Sequence, residues 1–183
     1  FSNNMVTQPG SQGFLAQTAP AVGTAAGTAI GGPIGGAIGN GITDDTAAIQ
    51  AALIATSGKV LRFPKGIYLV NTTLFIPNNT TLLGDGRYLS SIKLADSSNV
   101  TVLETEGYTD NLSSSSNLDH VFTIEGLSIN GNKANNTTGD GLNIYSHSYR
   151  LIDVDIRNCA ENGVQSEYGG GGSFIGGMEA YIS

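Results

Sequence analysis

Residues 36–50, which read Gly-Ala-Ile-Gly-Asn-Gly-Ile-Thr-Asp-Asp-Thr-Ala-Ala-Ile-Gln, decide the fold of this chain. A turn rich in glycine leads directly into the start of a helix. Thr43 or Asp44 is placed to accept the free amide hydrogens of the first helical turn, and Asp44 and Asp45 suit the positive end of the helix dipole. Apolar residues at helical spacing then predict one buried face: Ala48, Ile49, Ala52, Leu53 and Ala55. Gly58 stands where a helix end favours a left-handed residue.

The pattern changes after Lys59 to short apolar, β-branched runs that turn residues interrupt. Pro64-Lys65-Gly66 and Pro77-Asn78-Asn79 have the composition of turns. Strands are predicted between such turns, at residues 60–63, 67–70, 74–76, 80–83 and 91–94. Because no second helical period follows, the pattern indicates an all-β fold.

This order of features resembles the amino-terminal signature of the pectate-lyase-like right-handed parallel β-helix superfamily. That group includes polygalacturonases, fungal exo-glucanases and bacteriophage tailspikes, and the likeness is greatest to the amino-terminal part of a tailspike. Four segments carry it: 36–50, 63–68, 76–82 and 84–86. Asn40 stands where the family usually has Asp, a change that a turn tolerates. Lyases, hydrolases and inert binding proteins share the signature, so it indicates the fold rather than the chemistry.

Internal repetition supports the same fold independently. Residues 127–132 resemble residues 154–159, and residues 180–182 begin what looks like a third copy. Residues 141–144 are echoed at 163–166. A repeat of about 20–30 residues with short strands is typical of a solenoid in which each coil buries its apolar face on the next.

The repeats predict which side chains face the interior. Ile129, Ile156 and Ile182, spaced by 27 and 26 residues, are expected to stack one above another. Strand side chains alternate, which predicts two sets in the last complete repeat: Ile152, Val154 and Ile156 inward, and Asp153, Asp155 and Arg157 outward. The helix around Ile49 is expected to cap the open end of the stack, where an uncovered edge would pair with other chains.

Three regions follow from this reading. Residues 1–35 form an extended Gly/Ala-rich N-terminal arm with no core-forming pattern, which is either a linker lying on the first coil or a segment for virion attachment or trimer packing. Residues 36–58 form the turn and capping helix. Residues 59–183 form the first coils of a β-helix that stops within a repeat, which predicts a piece of a longer protein.

Composition excludes several functions. A formal net charge of −7 argues against nucleic acid, whose phosphates demand clusters of Lys and Arg. No apolar run is long enough to cross a membrane. No spacing of His, Cys and acids indicates a metal site, and no cofactor is predicted. The single cysteine, Cys159, is interpreted as a small buried hydrophobic residue.

Asp153 and Asp155 are the candidate catalytic residues. Glycoside hydrolysis needs two carboxylates at a defined separation, and residues i and i+2 of one strand share a face about 6.5–7 Å apart. The alternative is that both are solvated surface acids. The resemblance implies an active groove further along the helix or between subunits, so the true pair is expected beyond Ser183.

Other polar residues rank lower as catalytic candidates. Glu161 and Glu167 are the next acids, and His120 and His147 lie in contexts typical of exposed turns. The Gly84-Asp85-Gly86 segment and the glycines at 169–172 are interpreted as turns or corners, because neither precedes the Lys-Ser/Thr of a phosphate loop.

Three functional classes remain open. The first is a homotrimeric tailspike of a phage virion that binds other tail proteins through its arm and binds and cleaves a bacterial surface polysaccharide. The second is a secreted polysaccharide lyase or glycoside hydrolase, and the third is a structural or adhesin β-helix without activity. The negative charge predicts either a weakly charged glycan or a binding groove in a less acidic, more distal region.

Overall fold

The computed structural model describes residue 34 and residues 36–108, 121–146 and 148–167. Apart from residue 34, the predicted arm lies outside these residues, as do His120, His147, Ile182 and the glycines at 169–172. The described elements are, in chain order, β1 (Asn40–Asp44), α1 (Thr46–Ala55), β2 (Val60–Phe63), β3 (Gly66–Val70), β4 (Leu74–Ile76), β5 (Thr80–Gly84), β6 (Ser90–Leu94), β7 (Leu103–Thr105), β8 (Val121–Glu125), β9 (Ser128–Asn130), β10 (Leu142–Tyr145), β11 (Ser148–Ile152), β12 (Asp155–Arg157) and β13 (Val164–Glu167).

These strands visit three sheets in a fixed cyclic order. Sheet A contains β2, β5, β8 and β11, sheet B contains β1, β3, β6, β9 and β12, and sheet C contains β4, β7, β10 and β13. Neighbours within each sheet pair in parallel. Each coil therefore adds one strand to every sheet, which is the arrangement of a parallel β-helix. The strands predicted between residues 60 and 94 are confirmed to within one residue at either end.

The core is a set of side-chain columns that run across the coils. In sheet B, Tyr68, Ile92, Ile129 and Ile156 lie in register on four successive strands, and all four are buried. The predicted stacking of Ile129 on Ile156 is confirmed. Like side chains stack because strands in one sheet lie about 4.8 Å apart, so a branched aliphatic residue packs directly on its neighbour.

The two internal repeats align as their sequences predict. Ser128 lies opposite Asp155, and Leu142 lies opposite Val164. The prediction that Ile152 points inward is wrong. Leu151 packs against the core instead, whereas Ile152 ends β11 and is only half-buried. The chain turns a corner after it, and this turn breaks the alternation that the sequence suggested.

The helix starts one residue later than the signature indicates. Its N-cap is Asp45, not Thr43 or Asp44, and the two acids therefore precede the first turn. Asp44 still accepts the amide hydrogen of Thr46 through Oδ1, at 3.0 Å. Asp45 turns away from the helix, and its carboxylate accepts the amide hydrogens of residues 38 and 39 at 2.8 and 3.1 Å. Two backbone donors of the entry turn are thereby satisfied inside the fold.

One face of α1 packs on the solenoid, chiefly through Ile49 and Leu53, which are fully buried. Ala52 packs against them, while Ala55 is exposed, so the predicted stripe is narrower than expected. The helix ends before Gly58, whose φ of +74° confirms the predicted left-handed residue. Of the helices in the described ranges, none has the length and apolarity that a membrane crossing requires.

Candidate functional site

Asp153 and Asp155 do not lie on one strand, contrary to the prediction. Asp153 occupies the corner between β11 and β12 with φ of +50°, and Asp155 begins β12. The corner breaks the i, i+2 relationship on which their proposed shared face depended. Val154 and Ile156, which follow each of them, point into the core as predicted.

Each of these two carboxylates is paired with an arginine. Asp153 contacts Arg87 at 3.2 Å, and Asp155 contacts Arg157 at 3.3 Å. Arg87 belongs to the β5–β6 connection, two coils before Asp153, so this ion pair links two corners that are separated by the β8–β9 corner. A catalytic role for Asp153 and Asp155 stays a prediction, because the ion pair that each forms with an arginine gives it a structural role.

The lower-ranked residues also have local partners. Glu161 accepts the amide hydrogen of Gly139 at 2.8 Å, and Glu167 accepts a hydrogen bond from the side chain of Gln165 at 2.8 Å. Cys159 packs against the core but is only partly buried, so its interpretation as a buried hydrophobic residue is confirmed in part. Burial raises the pKa of its thiol, with a further contribution from Asp140, and this disfavours the reactive thiolate.

The outer face of sheet C presents a row of polar and aromatic side chains that the sequence argument missed. Four outward positions on β4, β7, β10 and β13 lie in register: Phe75, Glu104, Asn143 and Gln165. We call these four residues the sheet C row. It spans three strand intervals, or about 14 Å. Phe75, which is 43% exposed, provides an apolar surface at one end of the row.

A buried tyrosine close to the end of β7 is influenced by the negative charge of three carboxylates. Tyr108 follows β7 and is only 5% exposed. Burial raises the pKa of its hydroxyl, and the negative charges of Glu167, Asp140 and Glu104 raise it further. Tyr108 consequently keeps its proton at neutral pH and remains a hydrogen-bond donor.

Asn143 lies at the centre of the row and has an unsatisfied acceptor. The residue is 7% exposed, and its Nδ2 donates to Thr101 Oγ1 at 3.3 Å. Its Oδ1 is buried, and no described residue is its hydrogen-bond partner. A buried carbonyl oxygen without a donor costs about 1–3 kcal/mol, so such an atom in a native structure calls for an explanation.

The sequence did contain one signal for this site. Asn143 and Gln165 occupy the same place in the repeats 141–144 and 163–166, and both are large polar amides. Glu104 and Tyr108 lie in a coil of different length, so no repeat marks them. Within the described ranges, no group of three or more His, Cys, Asp and Glu side chains is arranged to hold a metal ion.

Several solved structures share this fold. The pre-mature bacteriophage phi29 gene product 12 superposes with a TM-score of 0.63 and 22% identity, over 74% of this chain and 18% of that protein. The A-module of mannuronan C-5 epimerase AlgE4 from Azotobacter vinelandii gives 0.60 and 23%, over 73% and 40%. ORF18 of Geobacillus virus E2 gives 0.52 and 26%, over 70% and 26%. The match therefore covers no more than 40% of the length of any of these proteins.

Sequence comparison identifies the family. No curated protein matches the chain. A family model described as rhamnogalacturonase A/epimerase, pectate lyase-like, matches residues 35–179, which is most of the chain. The resemblance inferred from residues 36–50 is thereby confirmed. This protein belongs to the pectate lyase-like rhamnogalacturonase A/epimerase family.

Proposed function

We propose that this chain is the particle-proximal part of a bacteriophage tailspike-type protein that binds and depolymerises a bacterial surface polysaccharide. The observation that carries the proposal is the sheet C row. Stacked coils present its side chains at a regular spacing of about 4.8 Å, which suits an extended polymer. The likeness to two phage proteins, one of them 26% identical, supports a location in the virion.

The chemistry of the row suits a sugar. Glu104, Asn143 and Gln165 offer carboxylate and amide groups to hydroxyls, and Tyr108 beside them offers a hydroxyl donor. Phe75 offers a partly exposed ring on which the apolar face of a sugar can lie. A few placed polar groups beside an aromatic side chain are typical of ligand sites.

The proposal includes the architecture and the assembly. We expect the coils to wind right-handedly, with α1 closing the first coil, and three copies to form a homotrimer. Residues 1–35 would bind neighbouring chains or other tail proteins. A mass measurement in solution tests the trimer, and limited proteolysis tests the arm. A monomer whose arm is freely cleaved contradicts the assembly and favours a secreted lyase or hydrolase of the same family.

The activity is tested by incubating the purified protein with surface polysaccharide from its host. Chain length, reducing ends and the absorbance of unsaturated uronates are followed together. A fall in chain length with new absorbance indicates a lyase, and a fall with reducing ends alone indicates a hydrolase. Binding without cleavage places the protein in the adhesin class, and no binding contradicts the proposal.

Variants locate the binding face. Asn143→Leu and Phe75→Ala are expected to weaken polysaccharide binding at least about tenfold, because each removes a contact from the row. Arg150→Gln is the matched control, since Arg150 is exposed on β11 of sheet A. An equal loss in the control would show that the polysaccharide binds elsewhere.

A further inference from the structure

Charge is segregated between the faces of the solenoid. The strands of sheet C contain Glu104 and Glu167 and no Lys or Arg. All eight basic residues of the chain lie in sheets A and B or in connections: Lys59, Arg62, Lys65, Arg87, Lys93, Lys133, Arg150 and Arg157. Lys133, in the β9–β10 connection, donates its amide hydrogen to Asn158, which directly follows β12 of sheet B. The strands of sheet C thus carry only negative charges, whereas those of sheets A and B carry charges of both signs.

Two buried acceptors lie in or just before β10 of sheet C. Asp140, two residues before β10, is 7% exposed. Its carboxylate accepts the amide hydrogen of Asn162 at 2.7 Å. Asn143 is also nine-tenths buried, and its Oδ1 has no hydrogen-bond partner among the described residues. A buried acceptor of this kind is satisfied by a ligand that brings an O–H or N–H group.

We propose that the sheet C row binds glycan residues that present hydroxyl or amino groups and carry no carboxylate, and that it rejects uronates. This inference rests on the proposed function, whose substrate class it names. A uronate carboxylate placed near Asn143 would face Glu104 and Asp140 and would find no basic side chain on the strands of this sheet. Like charges repel each other, whereas a protonated amine would be attracted.

The test compares β-1,4-linked oligomers of glucose, glucosamine and glucuronate of equal length, added to the ¹⁵N-labelled chain. The readout is the side-chain amide signal of Asn143, assigned by its loss in Asn143→Leu. We expect the glucose or glucosamine oligomer to shift this signal with an affinity at least about tenfold higher than that of glucuronate. An equal or larger shift with glucuronate overturns the inference, and so does the absence of a shift with all three.

Two controls separate sugar recognition from simple charge attraction. Methylammonium chloride, at the amine concentration of the glucosamine oligomer, is expected to leave the Asn143 signal unchanged, and an equal shift would overturn the inference. Glu104→Gln is expected to reduce the ratio of the glucose or glucosamine affinity to the glucuronate affinity at least about threefold. Lys93→Gln, on the outer face of sheet B, is expected to leave the preference over glucuronate unchanged. An equal effect of Lys93→Gln would show that the oligomers do not bind at the sheet C row.

The two proposals fail in different ways. If the protein shortens its host polysaccharide but none of the oligomers perturbs Asn143, the proposed function stands and the inference is wrong. If Asn143 discriminates as expected but no host polysaccharide is bound, the proposed function is wrong and the selectivity of the row stands.

Discussion

Gln50 of α1 forms with Phe75 of β4 both hydrogen bonds that a neighbouring strand would form. Its Nε2 donates to the Phe75 carbonyl oxygen at 3.2 Å, and its Oε1 accepts the Phe75 amide hydrogen at 2.9 Å. Strand β4 is the edge of sheet C, and its other side bonds to β7. A single side-chain amide thus occupies the open edge, which would otherwise be a template for another chain.

Gln50→Ala should therefore lower the free energy of unfolding by about 1–2 kcal/mol, since two hydrogen bonds to the backbone are lost. Amide exchange at Phe75 should become faster in the same variant. Both are measurable by chemical denaturation and hydrogen exchange. Ile54→Ala is the control on the same helix, because Ile54 is 66% exposed. A similar loss there would attribute the effect to side-chain truncation on this helix in general rather than to edge protection, because alanine itself favours the helix.

Ile129→Ala should destabilise the protein by about 2–5 kcal/mol, because it opens a cavity between two stacked neighbours. Ile129 is fully buried and lies in register between Ile92 and Ile156. Ile67, on the outer face of sheet B and 47% exposed, serves as the comparison. Equal changes in the free energy of unfolding for Ile129→Ala and Ile67→Ala, measured by urea denaturation, would contradict the packing of Ile129 between its two neighbours in the column.

Gly84→Ala should lower the stability of the fold more than Gly58→Ala does. A Cβ at Gly84 would lie 2.1 Å from the carbonyl oxygen of Gly126 in the next corner, so the coils would have to separate. Gly58 has a left-handed φ of +74° but open space around it, so alanine there costs about 1 kcal/mol of backbone strain alone. Thermal unfolding of the two variants measures the difference, and equal shifts in Tm would argue against close packing of the corners.

The sequence predicted the repeated parts of this molecule better than the parts that join them. Ile129 and Ile156 were placed correctly because a solenoid puts equivalent positions of successive repeats in register. Asp153 was misplaced because the corner after β11 has a left-handed residue, and a strand pattern does not reveal where a corner falls. Tyr108 was missed because two of the carboxylates that raise its pKa, Asp140 and Glu167, come from later coils.

Alkaline pH should weaken the fold through Tyr68. Its hydroxyl donates to the Pro64 carbonyl oxygen at 2.8 Å, and burial raises its pKa, with further contributions from Asp45 and Asp85. The folded protein thus holds this proton more tightly than the unfolded chain, in which the pKa of a tyrosine is about 10. The resulting stabilisation is complete below pH of about 10 and is lost as the pH rises through the higher folded value.

Tyr68→Phe should accordingly lower the stability near pH 7 by about 1 kcal/mol, through the lost hydrogen bond, and should reduce the decline above pH of about 10. Urea denaturation across this range checks both effects. Tyr88→Phe is the control because Tyr88 is 79% exposed. If the stability of Tyr68→Phe falls at alkaline pH as much as that of the unchanged protein, other groups cause the fall. Tyr108, whose pKa is also raised, is the first candidate.

The double variant Asp153→Asn/Asp155→Asn should leave any polysaccharide-cleaving activity intact and lower the stability by no more than about 1–2 kcal/mol. Each change removes one partly exposed ion pair, which contributes about 0–1 kcal/mol. Asparagine suits this test because it tolerates the left-handed φ of +50° at Asp153, so the charge is removed without added backbone strain. Activity on the host polysaccharide is compared with that of Glu104→Gln, which alters the sheet C row. A large loss of activity in the double variant, with stability and binding preserved, would place catalysis at these two acids and not in the row or in a more distal coil.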